Sequence, residues 1–240
     1  MSKNIIVTGS AKGIGLACAK LFLEKGYQVI GLDNDAIAIN ELIKSNIGID
    51  YICCDISNSK DILKVCKEII SKYQKIDILI NNAAIQINDN FEEYTYENWS
   101  KVMNTNYFGA CNCISSFIKY MPKDSTVLNI LSVHSNKPRK NRNAYDSSKS
   151  ALEMLTKELA LEFADKGITI NALSFGAVNT NMNKSWEKNP TEKQEALSKV
   201  PMKIIFEDKN IAHFAYVITS EFSKYTTGSI FIVDGGRSLI

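Results

Sequence analysis

Short β-branched apolar runs alternate along the chain with longer segments whose apolar residues recur at helical spacing. The runs NIIVTG, YQVIGLD, YICCD, KIDILINNAA, STVLNILS, GITINALS and SIFIVDGG lack a clean inside–outside alternation. That predicts strands covered on both faces. Between them, GLACAKLFLEKG has helical spacing and closes on Gly26 as a C-terminal cap, and SKDILKVCKEIISKY is amphipathic. Helical patterns are also predicted from about 96 to 120 and over 144–166. Strands separated by helices require right-handed crossovers, and these produce a mostly parallel sheet. The pattern therefore predicts an α/β fold: a doubly wound, mostly parallel seven-stranded sheet with helices on both faces, a three-layer α/β/α sandwich. Ligands in such sheets sit outside the carboxyl ends of the strands.

Composition narrows this picture. At 240 residues with 45% apolar content, one large core is affordable, and 1–240 reads as a single domain. No stretch is long and apolar enough to span a bilayer, so no membrane role is expected. A net charge of +2 gives no ground for nucleic-acid binding. The opening MSKNIIVTGS runs directly into a strand pattern without a leader, so a cytoplasmic location is expected. The six cysteines form no C-x-x-C pair and the chain has two histidines, His134 and His213. No metal site is expected, and the cysteines read as reduced packing residues.

Chemistry begins after the first strand. TGSAKGIG, Thr8 to Gly15, is a glycine-rich turn opening a helix. Gly9, Gly13 and Gly15 let backbone approach a pyrophosphate, and a helix amino terminus supplies amide donors and partial positive charge. The G-x-x-x-G-x-G spacing differs from the general G-x-G-x-x-G fingerprint. The strand–turn–helix context points to a Rossmann-type dinucleotide site. Asp33 ends the second strand 18 residues beyond Gly15, near where an acid takes the ribose hydroxyls of NAD. A 2′-phosphate about 5 Å from this carboxylate would be repelled by roughly 3 kcal/mol at an effective dielectric near 20. Asp33 therefore favours NAD, whereas an ammonium at Lys12 favours NADP.

YDSSK, residues 145–149, sets a phenol and an ammonium four positions apart, on one face of a helix. Ionising an ordinary tyrosine at pH 7 costs roughly 4 kcal/mol. One ammonium at about 5 Å returns roughly 3 kcal/mol at the same dielectric. The expectation is a phenol tuned toward neutrality by Lys149.

With TGSAKGIG, NNAA, LS, YDSSK and VDGG in this order, the chain resembles the compact, single-domain branch of the short-chain dehydrogenase/reductase family over nearly its whole length. The resemblance implies a nicotinamide-dependent oxidoreductase acting on a small alcohol or ketone. It implies Ser132, Tyr145 and Lys149 as catalytic residues, with Asn106 supporting a proton relay through water. It implies a cofactor site of Thr8, Gly9, Lys12, Gly13, Ile14, Gly15, Asp33, Asp55, Ile56, Asn82, Ala83, Ala84, Tyr145, Lys149, Gly176, Val178 and Thr180, with Asn81 steadying the sheet beside it. It also implies assembly as a homodimer or homotetramer. Two positions depart from the family's pattern: Ala84 stands where glycine is common, and Phe175 replaces the usual proline of a Pro-Gly pair.

Candidate substrate residues are Ser132, His134, Tyr145 and Phe175. His134 reads equally as a turn residue. The loop VHSNKPRKNRNA packs Lys137, Arg139, Lys140 and Arg142 into six positions. It reads either as a recognition surface for an anionic substrate or acidic carrier protein, or as a solvated basic loop. Residues 181–205 read as a lid bearing Met182 and Trp186. Beside the alcohol dehydrogenase reading stand two others: a 3-oxoacyl-[acyl-carrier-protein] reductase-like enzyme using NADPH, and a non-catalytic dinucleotide sensor.

Overall fold

The structure, a computed structural model, describes residues 2–179, 189–220 and 224–240. Seven strands form one parallel sheet: β1 (Asn4–Thr8), β2 (Gln28–Asp33), β3 (Asp50–Cys53), β4 (Ile78–Asn81), β5 (Thr126–Ile130), β6 (Thr169–Phe175) and β9 (Ile230–Val233). Their order across the sheet is β3-β2-β1-β4-β5-β6-β9. Chain order therefore runs outward in one direction from β1 and in the other from β4. A crevice opens between the carboxyl ends of these two strands, where neighbouring connections leave toward opposite faces. A separate parallel pair joins β7 (Val178–Asn179) to β8 (Phe206–Glu207).

Each sheet face has its own apolar core. On one, Ile6, Leu79, Val127 and Ile170 meet α3 (Ser59–Tyr73), α5 (Gly109–Phe117) and α6 (Asn143–Phe163) through Ile62, Ile69, Phe117 and Phe163. On the other, Ile5, Val7, Ile80 and Leu128 meet α1 (Gly13–Glu24) and the helix Asp208–Thr219, here α8, through Phe22, Ala19, Ile211 and Ala215. Successive residues of a strand point to opposite faces, so the unbroken apolar runs supply both layers. Two further helices, α2 (Ala36–Lys44) and α7 (Pro190–Ser198), lie outside these cores. The stretch from 96 to 120 is helical, but α4 (Tyr96–Met103) is separated from α5 by a π-turn over Asn104–Phe108.

Cys18, Cys54, Cys66 and Cys113 are buried among apolar neighbours, and all six cysteines are unpaired thiols. Burial pushes the Cys18 and Cys54 thiols up to about 12. No helix among the described residues is long and apolar enough to cross a membrane.

Candidate active site

One cleft of about 360 Å³ runs along the carboxyl edge of the sheet. The turn after β1 forms one end. Gly9 has φ +64°, and a Cβ there would lie 2.8 Å from Ala83 Cα. A Cβ on Gly15 would sit 2.0 Å from the Gly9 carbonyl oxygen, so the first turn of α1 packs directly on the loop that precedes it. Gly13, at φ +54°, instead faces open space. The amino terminus of α1 has no side-chain cap and no acid in its first turn. Its orphan amides are left for another acceptor, which is the donor arrangement a pyrophosphate needs. These residues fit a dinucleotide.

Thr8 and Asn82 hold the turn in place. The Thr8 hydroxyl, fully buried, accepts from the Asn82 and Ala83 amides, both at 3.0 Å. Asn82 Nδ2 donates to the carbonyls of Thr8 (2.9 Å) and Gly9 (3.1 Å). The carboxylate of Asp33, at the end of β2, accepts from the Ala11 amide at 2.9 Å and the Asp35 amide at 3.0 Å. Lys12 Nζ, the cation expected to favour a 2′-phosphate, lies 3.5 Å from Asp35 Oδ2. A second acid thus stands beside Asp33 and partly neutralises Lys12. Asp55, past β3, accepts from the Ser57 amide and hydroxyl.

The other end of the cleft is built by the turn after β5 and the start of α6. Asn81 Nδ2 donates to Asn129 Oδ1, and Asn129 Nδ2 donates to Thr156 Oγ1, each at 2.9 Å. This buried chain of amides fixes α6 against β4 and β5. Tyr145 and Lys149 follow on one helical face, both buried. Ser132 Oγ accepts from the His134 amide at 3.2 Å and its hydroxyl acts on the Tyr145 phenol.

The expected tuning of Tyr145 by Lys149 is not what the structure gives. Burial raises the phenol to about 12; Arg142 and the Ser132 hydroxyl pull it down, Asp146 pushes it up, and Lys149 is not among the causes. The Lys149 ammonium lies 5.9 Å from the ring centroid and donates to the Ile130 carbonyl at 2.7 Å. Burial lowers Lys149 itself to about 8. Desolvation acts on both groups, and at this depth it outweighs the charge–charge attraction inferred from spacing alone.

The buried side chain of Asn106 makes three hydrogen bonds. Its Oδ1 accepts from the Ile85 amide at 2.8 Å, and its Nδ2 donates to the Ile85 carbonyl at 2.9 Å and to Ser148 Oγ at 3.0 Å. The side chain stitches the segment after β4 to α6. It lies in the π-turn, which aims it inward.

Of the residues proposed from sequence, Gly9, Lys12, Gly13, Ile14, Asp33, Asp55, Ile56, Asn82, Ala83, Ala84, Ser132, His134, Tyr145, Lys149, Phe175, Gly176 and Val178 line this one cleft. Thr8, Gly15 and Asn106 stand behind its wall. Thr180 lies outside the described residues, as do Met182 and Trp186 of the proposed lid. The described part of that lid includes α7, whose Glu192, Glu195 and Ala196 border the cleft with Lys199. Sequence reasoning does not find Arg237, which also lines it. Its one signal is its place directly after the VDGG turn.

A family model described as enoyl-(acyl carrier protein) reductase matches residues 9–238. Glucose 1-dehydrogenase 2 of Bacillus subtilis is 33% identical over 246 residues, covering 99% of this chain and 95% of that protein. The 3-oxoacyl-[acyl-carrier-protein] reductase FabG of Buchnera aphidicola (subsp. Acyrthosiphon pisum) is 34% identical, covering 99% and 98%. In structure, a short-chain dehydrogenase/reductase from Brucella melitensis, described as a glucose/ribitol dehydrogenase, superposes with a TM-score of 0.91 over 98% of this chain and 96% of that one, at 24% identity.

Proposed function

This chain belongs to the short-chain dehydrogenase/reductase family, whose members are NAD(P)-dependent oxidoreductases acting on CH–OH or keto groups, and on that premise we propose an alcohol/ketone oxidoreductase with Tyr145 as its acid/base group and NAD as its preferred cofactor. One observation carries this reading: a single cleft is lined at one end by an uncapped, glycine-turned helix start beside Asp33 and at the other by Ser132, Tyr145 and Lys149.

Each side chain has a definite task. Gly9 and Gly13 admit the pyrophosphate to the α1 amides. Asp33 accepts from the adenosine ribose hydroxyls, and with Asp35 engaging Lys12 it repels a 2′-phosphate. The nicotinamide, when bound, supplies or accepts the hydride and in its oxidised form adds positive charge. Ser132 donates to the substrate oxygen and orients it. Tyr145 gives a proton to that oxygen in reduction and takes it in oxidation. Because burial holds the phenol near 12, the resting protein is set as a proton donor. Oxidation requires added positive charge, since ionising such a phenol at pH 7 costs about 7 kcal/mol. Lys149 spends one donor on Ile130 and keeps two for ribose hydroxyls. Its pKa near 8 lets it exchange protons at working pH.

Asp33 speaks against the NADPH-dependent carrier-protein reductase, and a non-catalytic sensor has no use for a buried phenol aimed at the cleft. Exposed Met154 and Leu161 on α6 support self-association as a dimer or tetramer. The test is a panel of polyols, sugars, hydroxy acids and 3-oxoacyl thioesters assayed with both cofactors. Turnover of an alcohol or ketone with NAD(H) ahead of NADP(H) supports the reading; nucleotide binding without any turnover favours the sensor.

A further inference from the structure

The basic loop after β5 does not lie open to solvent along its whole length. Arg139 and Arg142 line the cleft beside Ser132, His134 and Tyr145, and Arg237 reaches the same place from the far end of the chain. The chain returns there because Gly235 and Gly236 have φ +62° and +86°, and a Cβ on Gly235 would lie 2.7 Å from Val200 Cγ1. Arg237 is then pinned: its Nη1 donates to the Lys199 carbonyl and its own carbonyl accepts from Lys137 Nζ, each at 3.1 Å. Arg142 and Arg237 are half-buried.

Like charges converge here. Burial lowers Arg142 and Arg237, and the Arg139 charge lowers both further. Burial also lowers His134, with all three guanidinium groups acting in the same direction. Asp146 and Asp234 offset the charges of Arg142 and Arg237 from a distance, but the hydrogen bonds of the nearby acids go elsewhere. Asp146 Oδ2 accepts from the Arg139 backbone amide. Asp234 accepts from the amides of Gly236 and Ser238. Glu195 pairs with Lys199, and Glu192 accepts from Asn189. Among the described residues, none of the three arginines forms a salt bridge with a carboxylate. Half-buried cations held together with no carboxylate in direct contact are costly unless an anion joins them.

We propose that the substrate carries an anionic group, a carboxylate or a phosphate, within a few bonds of the carbon that bears the reacting oxygen, and that Arg142 and Arg237 receive it with Arg139 at the mouth. The proposal rests on Ser132 and Tyr145 engaging that oxygen. Arg142 caps the start of the helix that carries Tyr145 three residues on, and both line the cleft, which sets the short spacing. The site is remote from Asp33 and the adenosine end, so a cofactor 2′-phosphate is not the anion in question. Neutral sugars and polyols are then poor substrates.

The experiment uses matched pairs with NAD: short hydroxy carboxylates against their methyl esters, and sugar phosphates against the free sugars. The anion should exceed its neutral partner in kcat/KM by about 10- to 100-fold, the size of one or two charge-assisted hydrogen bonds. That preference should weaken in high potassium chloride and fall at least about tenfold in Arg142→Gln and Arg237→Gln. Which series shows it distinguishes carboxylate from phosphate. In parallel, malonate and inorganic phosphate are titrated calorimetrically into NADH-loaded protein and into the double variant, its fold checked by circular dichroism. Neutral compounds turned over as well as their anionic partners would overturn the proposal. So would NADH binding accompanied by no anion binding, or by equal binding to the double variant. Failure of NADH itself to bind would remove the parent reading, and this one with it.

Discussion

At the scale of single residues, the decisive quantity is burial. The Tyr145–Lys149 spacing is visible in the sequence, and so are Ser132 and Asp33. The depth of the pair is not, because it depends on how α6 seats against β5. Spacing alone predicts a phenol lowered by an ammonium; the fold gives a phenol near 12 and an ammonium near 8. The Lys149 shift has a consequence for stability. A lysine whose folded pKa is depressed contributes stability above its unfolded value near 10.5, and loses it as pH falls through about 8. Lys149→Met should therefore gain on the native chain by about 3 kcal/mol between pH 10.5 and pH 7, read from urea unfolding at both pH values. A pH-independent difference would mean that the ammonium is not desolvated. Asp33 makes a second prediction. Asp33→Asn keeps one acceptor for the backbone amides but removes the charge, so the NAD-over-NADP preference in kcat/KM should drop by about 100-fold, the equivalent of roughly 3 kcal/mol. An unchanged preference would assign cofactor choice elsewhere.

At the scale of elements, legibility follows buried pattern. Ser59–Tyr73 is read from sequence to the residue because Ile62, Val65, Cys66 and Ile69 mark one helical face. Helix α2 buries only Ile39, and α7 buries nothing; neither carries a stripe for a pattern to reveal. Helix α8 does carry one, in Ile211, Ala212, Ala215 and Ile218, yet two alanines make it faint. The π-turn at Asn104–Phe108 is invisible to a 3.6-residue period, and it is what swings Asn106 onto Ile85 and Ser148. The start of α1 is the element on which cofactor binding depends. Gly15→Ala places a methyl group against the Gly9 carbonyl, so α1 must shift from the turn. The thermal midpoint should fall, in line with an overpacking cost of about 1–3 kcal/mol, and NADH affinity should fall at least about tenfold. Calorimetry and NADH fluorescence read the two effects, and unchanged affinity would show that the α1 amides do not hold the nucleotide.

At the scale of the whole molecule, seven strands in a parallel, doubly wound sheet are readable from alternation, but their order across the sheet is not, and that order fixes where chemistry can occur: the crevice beyond β1 and β4. What the linear chain hides is convergence. Arg142 and Arg237 stand far apart in sequence and share one cleft only because the last strand, β9, docks beside β6 and a two-glycine turn folds back. The same closure brings α7 to the cleft's rim. The proposed function requires Tyr145 to serve the substrate oxygen while the rest of the cleft binds the nucleotide. The direct measurement compares native protein and Tyr145→Phe, with turnover of the best substrate and NADH affinity determined on the same preparations. Turnover should fall by about 10²- to 10⁴-fold with NADH affinity nearly unchanged. Turnover within a few-fold of native would contradict the account.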